Sequence, residues 1–150
     1  MRALGIEVTG SSIHWIILDG SQKSGSIELL DNSTYALPVA YAEPIENLLA
    51  MKKVIQDTVV SKKTEKIGII KADKSASVNR IKIECIIEQA AYECKLPLKL
   101  IAPQTIAAIQ KRIFLKKVGS TIEIAFNGGK PIEPKYLLKA VFCAWNLMDD

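Results

Sequence analysis

Among the residues whose types could do chemistry, Glu7 stands out by its position. It closes the run Leu4-Gly5-Ile6-Glu7-Val8, which leads through Thr9-Gly10-Ser11-Ser12 into a second apolar run, Ile13 to Leu18. The pattern reads as a strand with one carboxylate near its far end, a tight Gly/Ser turn and a return strand. A carboxylate in that place can ligate a hard cation or cap a turn. Other acids that could join it are Asp73, Glu84 and Glu133. The basic residues Lys71, Lys74, Arg80 and Lys82 cluster in one stretch and read as a solvated loop or as phosphate ligands. His14 sits in an apolar strand without a companion histidine, so a half-buried side chain is expected rather than a metal ligand. Gly5, Gly10 and Gly128-Gly129 lack the spacing of a phosphate-binding loop. Trp15, Tyr35 and Tyr41 give little support for a base-stacking platform.

The elements that must position these residues follow from periodicity. Arg2 to Val8, Ser12 to Leu18 and Ser26 to Leu30 read as three strands of an antiparallel meander, with a turn at Asp19-Gly20-Ser21. Pro38 and Pro44 bracket an irregular stretch. Leu48, Met51, Ile55 and Val59 then share one face of a helix. Lys66-Ile67-Gly68-Ile69-Ile70-Lys71 suits a strand buried on both faces. Ile83, Ile86, Ile87, Ala90, Ala91 and Cys94 mark the clearest helix, which Pro97 ends. Leu98 to Ile101 is a fifth strand, and Pro103 opens a helix carrying Ile106, Ile109 and Ile113. Thr121 to Phe126 fits a short helix between Ser120/Glu123 and Asn127-Gly128, or a strand. Pro134 starts a last helix with Leu138, Val141, Phe142 and Trp145 as its stripe. The order β-β-β-α-β-α-β-α-α gives an α/β fold. Its mixed five-stranded sheet has β4 and β5 joined through helical crossovers, with helices on both faces.

Length and composition set the bounds. One domain over residues 1–150 is expected, of ordinary globular composition with 49% hydrophobic and 24% charged residues. Three cysteines without a CxxC spacing argue against a disulfide framework, and Cys85 and Cys94 read as buried thiols of a cytoplasmic protein. No signal segment or membrane span is visible. Charge is uneven. Residues 1–61 hold 4 Lys+Arg and 7 Asp+Glu, net −3, while residues 62–150 hold 16 and 9, net +7. A basic half of this kind suits a polyanion such as DNA or RNA, or a solvated lysine surface.

The segment from Ile67 through Arg112 resembles the RuvC-type Holliday-junction resolvases of the RNase H-like superfamily. So does the opening Gly5-Ile6-Glu7-Val8-Thr9-Gly10. The run Lys82-Ile83-Glu84 is similar to one in an uncharacterised bacterial family with that fold. The resemblance implies an RNase H-like domain and a nuclease site in which several carboxylates hold two Mg²⁺ ions. Glu7 matches the first-strand acid. The resemblance puts the other acids at Lys71, at the end of the fourth strand, and at Tyr136 and Lys139, at the start of the last helix. Ammonium groups there repel a cation and attract a phosphate.

The expectation is therefore a domain with a degenerate acidic site, of uncharacterised function, that binds nucleic acid or another phosphate-containing ligand without family-type cleavage. No cofactor is expected, and a homodimer is possible. The expected site comprises Glu7, Lys71, Lys82 and Glu84, with Lys139 as an outlier and Lys74 and Arg80 as further phosphate ligands. One alternative is a Mg²⁺- or Mn²⁺-dependent nuclease built on Glu7 with Glu84, Asp73 or Glu133. Another is a protein-interaction module.

Overall fold

The computed structural model describes residues 1–10, 12–37, 45–116 and 135–148. Strands β1 (Arg2–Thr9), β2 (Ser12–Ser21) and β3 (Ser26–Ala36) precede helix α1 (Ile45–Ser61). Strand β4 (Lys66–Ile70), helix α2 (Val78–Glu93), strand β5 (Leu98–Ile101) and helix α3 (Pro103–Lys116) follow. A 3₁₀ turn, Lys135–Leu137, leads into helix α4 (Leu138–Leu147). The sheet order is β3-β2-β1-β4-β5, antiparallel across β1–β2 and β2–β3 and parallel across β1–β4 and β4–β5. This is the mixed α/β sheet expected from the sequence. None of the helices described is long and apolar enough to cross a membrane.

Side-chain alternation divides the core between the two faces of the sheet. Leu4, Ile6 and Val8 of β1 and Ile67 and Ile69 of β4 pack under α1 and α2. Ala3 of β1, Ile16 and Leu18 of β2 and Ile70 of β4 pack under α3 and α4. The α2 stripe is buried as its periodicity predicts, at Ile83, Ile86, Ile87, Ala90 and Ala91. The chain leaves α2 through Lys95, whose φ of 57° is left-handed, two residues before Pro97.

The floor beneath α4 is made of glycine. Gly5 of β1 pairs with Gly68 of β4. A Cβ on Gly5 would lie 2.1 Å from the Ala140 carbonyl oxygen and 2.5 Å from the Ala144 backbone nitrogen. The helix backbone therefore rests directly on the strand backbone. Ala140, Val141, Phe142, Cys143, Ala144 and Leu147 are all buried, so α4 is covered on more than the one stripe read from its sequence.

Several boundaries differ from expectation. The turn falls at residues 22–25, and Asp19-Gly20-Ser21 lies inside β2. Gly20, at φ 133°, has Ser26 so close that a Cβ would meet its carbonyl oxygen, so this glycine permits strand contact and does not break it. Strand β3 runs on to Ala36 because the polar run Asp31-Asn32-Ser33-Thr34 sits on an edge strand, past a register shift opposite Ile17/Leu18. Helix α4 starts at Leu138. Cys85 is exposed and Cys94 half-buried, because Cys85 falls off the buried stripe and Cys94 caps the helix. The deeply buried cysteine is Cys143, whose thiol burial pushes up to about 12. Pro38, Tyr41, Pro44, Thr121–Phe126 with its flanking Ser120 and Asn127-Gly128, Glu133, Pro134 and the Ile113 side chain lie outside what is described.

Overpacking the glycine floor is expected to separate its two members. Gly5→Ala meets backbone on both sides and should reach or exceed the top of the roughly 1–3 kcal/mol usual for overpacked cores. Gly68→Ala meets the movable Leu147 side chain at 2.9 Å and the Cys143 sulfur at 3.1 Å, and should cost less. Urea unfolding of both variants checks the order, and equal losses would contradict it.

Candidate functional site

The carboxyl ends of the parallel strands and the N-terminal ends of α2 and α4 meet at one edge of the sheet. Open α/β sheets bind ligands in crevices of this kind. Glu7 follows Ala3 and Gly5 on the α4 face of β1, so the glycine contact sets how α4 stands over it. The uncapped start of α4 brings its first turn to that carboxylate. Glu7, Gln110, Tyr136, Leu138, Lys139 and Phe142 line a cleft of about 260 Å³.

The electrostatics centre on Glu7. Its Oε2 is sealed from solvent and accepts no hydrogen bond. Burial holds its pKa above the ordinary value of 4.5, while the charges of Lys139, His14 and Arg80 pull the other way. His14 lies opposite Glu7 in the β1–β2 register. Its ring nitrogens are within reach of two hydroxyls, Thr34 Oγ1 at 2.8 Å and Thr9 Oγ1 at 3.5 Å. Its ring also packs on Tyr136, with centroids 4.7 Å apart and a 42° tilt. The imidazole is thus held between β3 and the entry to α4, half-buried as expected.

The first turn of α2 supplies the arginine. Ser77 caps α2 by accepting a hydrogen bond from the Arg80 backbone N–H at 3.2 Å. Glu84 Oε2 accepts from the Ala72 N–H at 2.8 Å, tying the loop to the helix. Asp73 Oδ1 accepts from the Ser75 N–H and hydroxyl, which hold its carboxyl below the usual range. Between these fixed points the Arg80 Nε is buried without a hydrogen bond. An unpaired donor on Arg80 and an unpaired acceptor on Glu7 therefore belong to one charge cluster, without forming an ion pair.

Of the residues singled out in the sequence, the fold brings Lys139 and Arg80 to Glu7. Lys71 is exposed beyond the end of β4, makes no ion pair with Glu7 and is not among the charges that move its pKa. Lys74 is exposed on the same loop. Lys82 and Glu84 stand on α2, half-buried, with Glu84 engaged by the loop backbone. Sequence reading assigns no role in the site to His14 or Gln110. The tight Thr9–Ser12 hairpin is a usable signal for His14, because that register fixes it opposite Glu7.

No protein-family model matches the sequence, and no curated protein matches it. Solved structures do. Thermus thermophilus RuvC in complex with a Holliday-junction substrate is 14% identical and matches over 97% of this chain and 91% of its own, with a TM-score of 0.75. A second T. thermophilus RuvC structure gives the same score at 13% identity, over 97% and 92%. The fowlpox virus Holliday-junction resolvase is 14% identical over 98% and 94%, with a TM-score of 0.58. The fold is RuvC-type and RNase H-like. Identities this low carry the scaffold alone, and chemistry has to be argued from the residues on it. On this RuvC-type scaffold, no group of three or more His, Cys, Asp or Glu side chains among the described residues is placed to hold a metal ion.

The raised pKa has a measurable consequence. A carboxyl whose pKa is higher folded than unfolded stabilises fully below the unfolded value, and that contribution is lost as pH rises through the folded value. Glu7→Gln removes the buried charge, so it should melt above the wild type at pH 7, with the gain fading below about pH 4. Thermal melts across pH check this. A lower melting point for Glu7→Gln at neutral pH would mean that Lys139, His14 and Arg80 outweigh the burial.

Proposed function

We propose that this RuvC-type domain binds the phosphate backbone of nucleic acid at the carboxyl edge of its sheet and does not cleave it by a two-metal route. The observation that carries the reading is Glu7 as a single carboxylate surrounded by Lys139, Arg80 and His14. A divalent pair needs several hard oxygen ligands to offset its charge. One carboxylate beside two fixed cations does not fit that need. The same cations suit a phosphate, with Lys139 an exposed ammonium at the mouth of the cleft and Arg80 adding positive charge beside Glu7. Lys71 and Lys74, exposed on the adjoining loop, extend the positive edge. Glu7 then keeps the cationic side chains apart and oriented. The solved T. thermophilus RuvC complex holds a Holliday-junction substrate, which makes branched DNA the first ligand to try.

Fluorescence anisotropy on a four-way junction and on a linear duplex, over a salt series, tests this. Binding should strengthen as salt falls. Lys139→Ala and Arg80→Ala should each weaken it several-fold and lower the salt slope by about one. No nicked product should form with Mg²⁺ or Mn²⁺. Cleavage that Glu7→Gln abolishes would establish the nuclease instead. Absence of binding at low salt would remove nucleic acid and leave protein interaction.

A further inference from the structure

The cleft beside Glu7 has walls that a phosphate does not need. Lys139, exposed at its mouth, supplies charge, but much of the remaining lining is aromatic and aliphatic. Tyr136 is 54% exposed, and Leu138 and Phe142 add apolar surface beside it. The Tyr136 ring is held by a neighbour. His14 packs against it at 4.7 Å, and the Thr34 hydroxyl, 2.8 Å from His14 Nδ1, holds the imidazole in turn. An exposed aromatic ring fixed in this way is a platform on which an unpaired base can stack. Trp15 is buried and Tyr35 half-buried in the sheet, so neither offers such a surface.

Size and polar groups narrow the ligand. At about 260 Å³ the cleft lies below the roughly 300–1,000 Å³ of pockets that enclose drug-sized molecules. It therefore admits one ring system and leaves sugar and phosphate at the mouth. Two hydrogen-bonding side chains reach it from different elements, Gln110 from α3 and Glu7 from β1. A carboxamide presents a donor and an acceptor side by side, which adenine matches with N7 and its N6 amine. With Oε2 sealed, Glu7 meets a ligand through one oxygen at most, and an ionised carboxylate only accepts. The second N6 hydrogen supplies the donor for that oxygen. Guanine and thymine would set a carbonyl oxygen against the carboxylate instead, and cytosine has no N7 for the amide.

We propose that this cleft receives one unpaired adenine of a bound strand, stacked on Tyr136 and held at its N6 amine between Gln110 and Glu7, with the adjoining phosphate at Lys139. The proposal rests on nucleic-acid binding at this edge of the sheet and adds a base preference to it. A base inside a duplex cannot reach the cleft without leaving its stack, so the ligands are adenines in single strands or at branch points.

Fluorescence anisotropy with the full chain tests this on short abasic-spacer oligomers carrying one central adenine, one central thymine or no base. All three present the same phosphates, so any difference among them reports the base. The adenine oligomer should bind roughly tenfold more tightly than the baseless one, and several-fold more tightly than the thymine one. Tyr136→Ala should remove the gain from either base, whereas Tyr136→Phe should keep it because the ring survives. Gln110→Ala should bring adenine down to thymine. Equal, salt-dependent binding of all three oligomers overturns the base pocket and leaves the phosphate reading standing. A thymine oligomer that matches the adenine one also overturns it. Absence of binding by any oligomer at low salt removes both readings. Adenosine monophosphate that displaces the adenine oligomer at equal concentration would assign the cleft to free nucleotides and overturn the strand.

Discussion

The contact between Gly5 and the α4 backbone, with Gly68 beside it under the Cys143 and Leu147 side chains, is the constraint on which the rest depends. Any side chain on Gly5 would occupy the space of the Ala140 carbonyl. Because the helix sits this low, Ala140, Cys143, Ala144 and Leu147 fill the space that larger side chains would take between sheet and helix. The first turn of α4, one residue before Ala140, is thereby fixed beside Glu7, two residues beyond Gly5. Backbone contact leaves little freedom to slide, and so Lys139 and Tyr136 are held in place by the seat of the helix itself.

That placement creates an electrostatic conflict that the fold tolerates. Glu7 is half-buried with its Oε2 sealed from solvent, yet that oxygen receives no hydrogen bond. Lys139, His14 and Arg80 lower the cost of its charge without cancelling it, since burial still raises its pKa. A protein selected only for stability would place an apolar residue there or complete the ion pair with Arg80. The retained conflict sits at the carboxyl edge of the sheet, where strained and under-satisfied groups commonly serve ligands.

Much of the architecture was legible in the sequence because it rests on local periodicity. The α2 stripe, the doubly buried β4 and the short reach from Pro97 through Ile101 each follow from spacing alone. The misplaced features depend on non-local facts. Gly20 reads as a turn because nothing local reveals that Ser26 crowds it. The polar end of β3 reads as a loop because only an edge position makes such residues acceptable in a strand. The site suffers most. Lys71 and Glu7 lie at the ends of adjacent strands, which suggests contact, but side-chain direction and the depth of α4 decide instead for Lys139. The low seat of α4 is written in Gly5 and Gly68, yet only their pairing across β1 and β4 makes those two glycines a single feature.

Core and site are also separable in energetic terms. The two apolar clusters contain none of Glu7, Arg80, Lys71 or Lys139. Their burial supplies the main driving force for folding, and it is indifferent to which charges decorate the sheet edge. A RuvC-type scaffold can therefore carry either a ring of carboxylates or a mixed cationic cluster with the same strand order and the same helix seats. This is why full-length structural agreement at 14% identity is compatible with different chemistry at the edge. What the scaffold does impose is geometry. Whatever ligand enters meets the starts of two helices and the ends of two parallel strands, an arrangement whose backbone dipoles favour negative charge even before any side chain is counted. The cations of this chain add to that backbone preference, and the Glu7 carboxylate opposes it from within the cleft.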